Sequence, residues 1–84
     1  METNEVLREQ ILEAIENQIR DNNPKETNLT YLRLIGLGYS KTASKELIGQ
    51  CMAIELFDVL KHKKPFNEIR YIDNLGKLPK DPFK

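Results

Sequence analysis

"SKTASKELIGQCMAIELFDVLKHK", residues 40 to 63, decides how the chain reads. Leu47, Ile48, Met52, Leu56, Val59 and Leu60 recur at mixed three- and four-residue spacing, the period of an α-helix. Ala43, Ile54 and Phe57 lie on a second side. Ser40 stands where an N-cap belongs, so a helix is predicted over 40–63. An apolar surface this broad needs neighbours on two sides, which places this helix at the centre of the fold. Gly49 interrupts it, marking a kink or a close crossing with another helix.

Outward from that segment, the same period predicts three more helices. Residues 3–21 carry Leu7, Ile11, Ala14, Ile15 and Ile19 on one face, with acids in the first turns where the helix dipole favours them. Thr3 or Asn4 is the expected cap, and Asn22 and Asn23 stop the helix because Asn tolerates the left-handed conformation. Over 24–37, Asn23 is the expected N-cap, with Pro24 in the first helical position and Glu26 as the capping-box acid. Leu29, Leu32 and Ile35 line one face, with Tyr31, Leu34 and Leu37 beside it and Gly36 and Gly38 at the end. Over 67–76, Asn67 caps, Phe66 staples onto Tyr71, and Ile69, Ile72 and Leu75 point inward. Gly76 is expected to end this helix, and Pro79 and Pro82 to keep the tail extended. No stretch alternates as a strand would, and no repeat or linker divides the chain. The prediction is an all-α fold, one domain over 1–84, built as a compact bundle of about four helices.

Leu, Ile, Val and Phe make up 24 of 84 residues and the formal net charge is zero. That is enough apolar content, and little enough repulsion, for collapse. A chain this short buries only about 60–65% of its unfolded surface, so dimerisation is a natural way to add burial. The one cysteine, Cys51, lies in an apolar run and reads as a buried, reduced thiol. No apolar run reaches the roughly 20 residues that span a bilayer, and METNEVLREQ opens acidic and polar, the reverse of a secretory signal. A cytoplasmic location, with no membrane partner, is expected.

Zero net charge hides an asymmetry. Residues 1–22 hold six acids against two bases, and residues 59–84 hold seven bases against three acids. The two ends are expected to attract, within the chain or across a dimer. The only basic cluster is Lys61, His62, Lys63, Lys64, too short a patch to argue for nucleic acid.

Glu55, Asp58 and His62 share one helical stripe, spaced three, four and seven apart. Such a stripe can ligate a metal, but a di-iron bundle needs Glu-x-x-His pairs, which this chain with its single histidine does not contain. The structural alternatives are a solvated edge, running through Ser44 as well, or an ion-pair anchor in which Glu55 or Asp58 meets Arg70, with Arg33 as the competing cation. His62 also suits a helix C-terminus, four residues after Asp58. Cys51 and His62 cannot form a nucleophile–base pair, being roughly 16 Å apart along one helix. No phosphate loop, Cys-x-x-Cys, His-Glu-x-x-His or nucleophile elbow occurs.

The turn LIGLGYSKTASKELIG, residues 34–49, resembles the opening of ubiquitin-associated domains and also a helix-turn-helix entry. It departs from the first by continuing as a long helix and from the second because that helix is apolar on most sides, so an ordinary pair of caps is the preferred reading. Phe66, Arg70, Tyr71, Leu75, Leu78 and Pro79 together resemble a pattern in short all-helical bacterial proteins, over residues 22–82. That resemblance implies no activity, and it favours Arg70 and Tyr71 as scaffold anchors. The expectation is a non-enzymatic protein-interaction or assembly module with an unidentified protein partner, a homodimer, with no catalytic residue and no cofactor. The rivals are a metal-binding protein using Glu55, Asp58 and His62, and a nucleic-acid-associated factor using the lysine patch.

Overall fold

The computed structural model describes residues 2–80. Four helices follow one another, α1 (Glu2–Asp21), α2 (Lys25–Gly36), α3 (Lys41–His62) and α4 (Glu68–Lys77). No strand occurs among the described residues, and no helix there is long and apolar enough to cross a membrane. The fold is a small all-α bundle.

The turns are built from backbone hydrogen bonds that tie up the last free carbonyls of a helix. At the end of α1, Asn22 takes the left-handed conformation (φ 53°), its N–H donates to the Ile19 carbonyl, and Asn23 N–H donates to Gln18. The end of α2 repeats this Schellman arrangement with Gly38 (φ 103°), whose N–H meets Ile35 while Tyr39 N–H meets Leu34. Asn23 is thereby spent on closing α1. It does not cap α2, which instead starts after Pro24 with no side-chain cap and no capping box. Thr3 and Asn4 already lie within α1, so neither occupies the cap position.

Ser40 and Asn67 do cap, accepting from the N–H of Ala43 and Arg70 respectively, each at 3.0 Å. Phe66 and Tyr71 meet edge to face with centroids 5.6 Å apart, the staple contact between the residue before the cap and the second turn. Gly36 and Gly76 are the last and next-to-last residues inside their helices. After α4 the chain turns at Pro79, where Lys80 N–H donates to Lys77, so this part of the tail is not extended. Pro82 lies outside the described residues.

The core combines Ile11 and Ile15 of α1, Leu34 of α2, Ile48, Cys51 and Met52 of α3, and Tyr71, Leu75 and Leu78 at the far end. Helix α3 touches each of the other helices, as expected of a central element, and α2 shares that position. Among the described residues no Cα of α1 comes within 8 Å of one in α4. Those two helices meet only through side chains.

Three faces differ from the sequence pattern. On α2 the buried positions are Thr27, Thr30 and Leu34, while Leu29, Leu32 and Leu37 are exposed. On α4 the buried line is Tyr71, Asn74 and Leu75, and Ile69 is 77% exposed. On α3, Phe57 and Leu60 face solvent and Glu55 is buried. A leucine spacing satisfies the helical period whichever way the helix is turned. Its rotation is set by which polar groups find partners inside.

Gly49 marks the close crossing of α3 with α1 and not a helix break. A Cβ there would stand 3.4 Å from Ile11 Cγ2 and 3.6 Å from Ile15 Cδ1, which is contact without overlap. Gly49→Ala therefore should raise stability by up to about 1 kcal/mol, the helix-interior gain of Ala over Gly. Urea denaturation reads this as a higher midpoint at unchanged slope.

Candidate functional site

The polar stripe of α3 runs from the interior out to water. Ser44 and Glu55 are buried, Asp58 is partly covered, and His62 lies exposed at the last turn. The solvated-edge reading is thus overturned for Ser44 and Glu55. The Ser44 hydroxyl has no protein hydrogen-bond partner among the described residues.

Glu55, 1% exposed, is held by three donors. Arg70 Nε donates to Oε2 at 2.6 Å, Arg70 Nη2 to Oε1 at 3.0 Å, and the backbone N–H of Asn67 to Oε1 at 3.3 Å. Arg70 Nη2 also donates to Asp58 Oδ2. Asp58 completes the line through His62, whose Nδ1 lies 3.2 Å from Oδ1. One planar guanidinium so bridges two carboxylates, an arrangement a lysine could not make. Hydrogen bonds from Arg70, then from His62, hold the Asp58 carboxyl below its ordinary value. The same carboxylates, Glu55 first, raise the Arg70 guanidinium further above its own.

The local chain explains how the three residues meet. The left-handed Lys63 ends α3, and the segment through Asn67 returns α4 along it. Arg70 then lies one turn into α4, opposite Glu55. Glu55 also brings negative charge to the N-terminus of α4, the end where the helix dipole favours it.

Arg33 does not compete for these carboxylates. It reaches the opposite end of α4, donating to the carbonyls of Leu78 at 2.5 Å and Leu75 at 2.9 Å. A ten-residue helix, too short to be stable alone, is thus clamped by a carboxylate at one end and a guanidinium at the other.

Tyr71 anchors the same helix inward. Its hydroxyl donates to Gln18 Oε1 at 2.8 Å, and Thr27 Oγ1 reaches both atoms, at 2.8 Å from Gln18 and 3.1 Å from Tyr71. One residue from each of α1, α2 and α4 meets there. Two hydroxyl protons serve three short contacts, so the triad is satisfied by two donations at a time. Gln18 and Thr27 escaped the sequence reading. Thr27 is detectable only as the start of the 27, 30, 34 spacing, and Gln18 follows Ile11 and Ile15 on the buried side of α1.

Among the described residues no group of three His, Cys, Asp or Glu side chains is placed to hold a metal. A cation at Glu55 and Asp58 would have to displace the guanidinium. Burial pushes the Cys51 thiol up to about 12, keeping it protonated and unreactive at neutral pH. The lysines at 61, 63 and 64 are exposed, and Lys61 Nζ stands over the Phe57 ring at 5.0 Å. The expected attraction between chain ends is not realised as ion pairs among the described residues: α1 pairs instead with the first half of α3, Arg8 to Glu46 at 2.5 Å and Glu16 to Lys45 at 3.1 Å.

Compared with protein-family models, curated proteins and solved structures, the chain matches none.

Two stability predictions follow from this geometry. Arg70→Met strands the buried Glu55 carboxylate, and an unpaired buried charge costs about 3–5 kcal/mol. Adding Glu55→Met should recover most of that loss, because an apolar pair of similar volume has no charge to leave unpaired. A double-mutant cycle in urea measures the coupling, and additive losses would show that the pair contributes nothing. The second concerns alkali. Burial raises Tyr71 from 10 to about 12 and Cys51 from 9 to about 12. Both groups bind their protons more tightly folded than unfolded, so their stability is complete below pH 9 and is lost as pH rises toward 12. Denaturation midpoints should fall over that window. Cys51→Ala should delay the fall to above pH 10, and Tyr71→Phe should make it shallower there, at a cost of about 1 kcal/mol at neutral pH from the lost hydrogen bond.

Proposed function

We propose that the protein is a non-enzymatic protein-interaction module. The charged groups that could have formed a reactive site are committed to one another, Arg70 to Glu55 and Asp58, and Arg33 to the end of α4. Several large apolar side chains, by contrast, are left facing water. That contrast is the observation that carries the reading: Leu29, Leu32, Leu37, Phe57, Leu60 and Ile69 are each more than half exposed. Single exposed apolar residues are ordinary, but seven on so small a domain, with Val6, form surfaces that another protein would cover.

Four of them fall on two sides. Leu29 of α2 shares a shallow groove with Ile72 of α4, and Ile69 lies one turn before Ile72. Phe57 and Leu60 stand together on α3. Complementary apolar residues on a partner would bind either surface, with Arg33 and Glu26 on the rim of the first.

The test is affinity capture with the full chain from its native host, quantified by mass spectrometry, alongside sedimentation of the purified chain. A partner retained at near-stoichiometric amounts, and lost with Leu29→Glu or Phe57→Glu, is the expected result. A chain that retains no partner and stays monomeric at hundreds of micromolar would overturn the reading.

A further inference from the structure

We propose that the groove between α2 and α4 pairs two copies of this chain about a two-fold axis, with Leu29 at the centre and each Glu26 meeting the other copy's Arg33. The inference rests on the interaction-module reading and names the partner at the first of its surfaces.

Helices α2 and α4 run side by side in the same direction. Thr27 meets Tyr71 near their starts, and Arg33 meets Leu75 and Leu78 near their ends. The open groove between them, of about 270 Å³, has Leu29 on the α2 side and Ile72 and Gly76 on the α4 side. Leu29 is 58% exposed, and Ile69, one turn before Ile72, is 77% exposed. The only charged residues lining the groove are Glu26 and Arg33, either side of Leu29 along α2. Of the other charged groups on these two helices, Lys25, Asp73 and Lys77 do not line it, and Glu68 lines the recess beside the α3–α4 connection instead.

Arg33 is held ready for a carboxylate. Its bonds to the carbonyls of Leu75 and Leu78 fix the guanidinium while using only two of its five N–H groups. Carbonyls leave its charge uncancelled, and neither Arg33 nor Glu26 enters an ion pair among the described residues. Seven residues and roughly 10 Å of helix rise separate the two within one chain.

A two-fold axis perpendicular to α2, passing between Leu29 and Thr30, sets the other copy's α2 antiparallel to the first. Glu26 lies roughly 5 Å to one side of that point and Arg33 the same distance to the other. The other copy's Arg33 therefore arrives level with Glu26, and its Glu26 level with Arg33. Leu29 of each copy lies beside the axis, so the apolar contact sits between two ion pairs. Room for the incoming carboxylate exists beside Arg33, where nothing stands within 4 Å of the place a Gly76 Cβ would take. A two-fold axis parallel to α2 would instead set Glu26 on Glu26 and Arg33 on Arg33. Charge thus selects the antiparallel pairing.

Sedimentation equilibrium of the purified full chain tests the proposal. The expected mass is twice 9.8 kDa at high micromolar concentration. Leu29→Glu should weaken dimerisation about a hundredfold, because it puts like charges beside the axis in place of apolar contact. Its far-UV circular dichroism should remain that of the parent, since Leu29 is outside the core. Glu26→Lys and Arg33→Glu each oppose like charges and should weaken dimerisation at least about tenfold. An equimolar mixture of those two variants should give a heterodimer, because both ion pairs are then restored, one of them with reversed sign. Arg33→Glu also gives up the clamp on α4. Salt dependence therefore supplies a second reading: the parent dimer should weaken as salt rises, and the Glu26→Gln dimer much less. A monomeric parent, a dimer indifferent to Leu29→Glu, a mixture of folded variants no heavier than its components, or equal salt dependence of parent and Glu26→Gln would each overturn the proposal. A monomeric parent that still retains a host protein, lost with Leu29→Glu or Phe57→Glu, would leave the interaction-module reading standing.

Discussion

Glu55 is a carboxylate withdrawn from water in the middle of the longest helix, and the second half of the fold is arranged around its compensation. Its three donors come from Arg70 and the Asn67 backbone, all across the α3–α4 connection. Asn67 has two roles in consequence. Its side chain caps α4 while its own N–H reaches back to Glu55, so the start of the fourth helix and the middle of the third are fixed in one step. An apolar side chain at position 55 could bury as much surface, but it would not specify where α4 begins. The ion pair selects one packing of two helices among several with similar apolar contact.

The other end of α4 is treated in the opposite electrical sense. Its last carbonyls carry partial negative charge, and Arg33 from α2 satisfies two of them. Between these clamps Tyr71 reaches through the core to Gln18 and Thr27. The triad is the one polar connection described between α1 and α4, whose backbones do not approach each other. A short helix with no stability of its own is thereby located at both ends and at its centre, each time by a polar contact to a different helix.

This use of polar groups has a consequence for the surface. With Thr27 and Thr30 turned inward on α2, and Asn74 beside Tyr71 on α4, several leucine and isoleucine side chains are turned outward. The exposed apolar faces and the buried polar network are two sides of the same helix rotations. A small domain can accept exposed apolar area if association covers it, and its modest interior gives association something to add.

Helix existence, order and type were determined by the sequence itself, because hydrophobic period and capping chemistry act over a few residues. Ser40, Asn67 and the Phe66–Tyr71 staple belong to that local class, as does the left-handed Asn22. The meeting of Glu55 with Arg70 was also legible, since fifteen residues and one short connection leave few alternatives. Tertiary structure alone decided which sides of α2 and α4 face inward, that Ser44 lies in the interior, and that Arg33 binds carbonyls in place of carboxylates. The helix rotations and the placing of Arg33 depend on partners 42 to 53 residues away, such as Thr27 with Tyr71, Arg33 with Leu75 and Gln18 with Tyr71. A threonine is costly to bury until a distant hydroxyl or amide meets it, and no local pattern records that meeting.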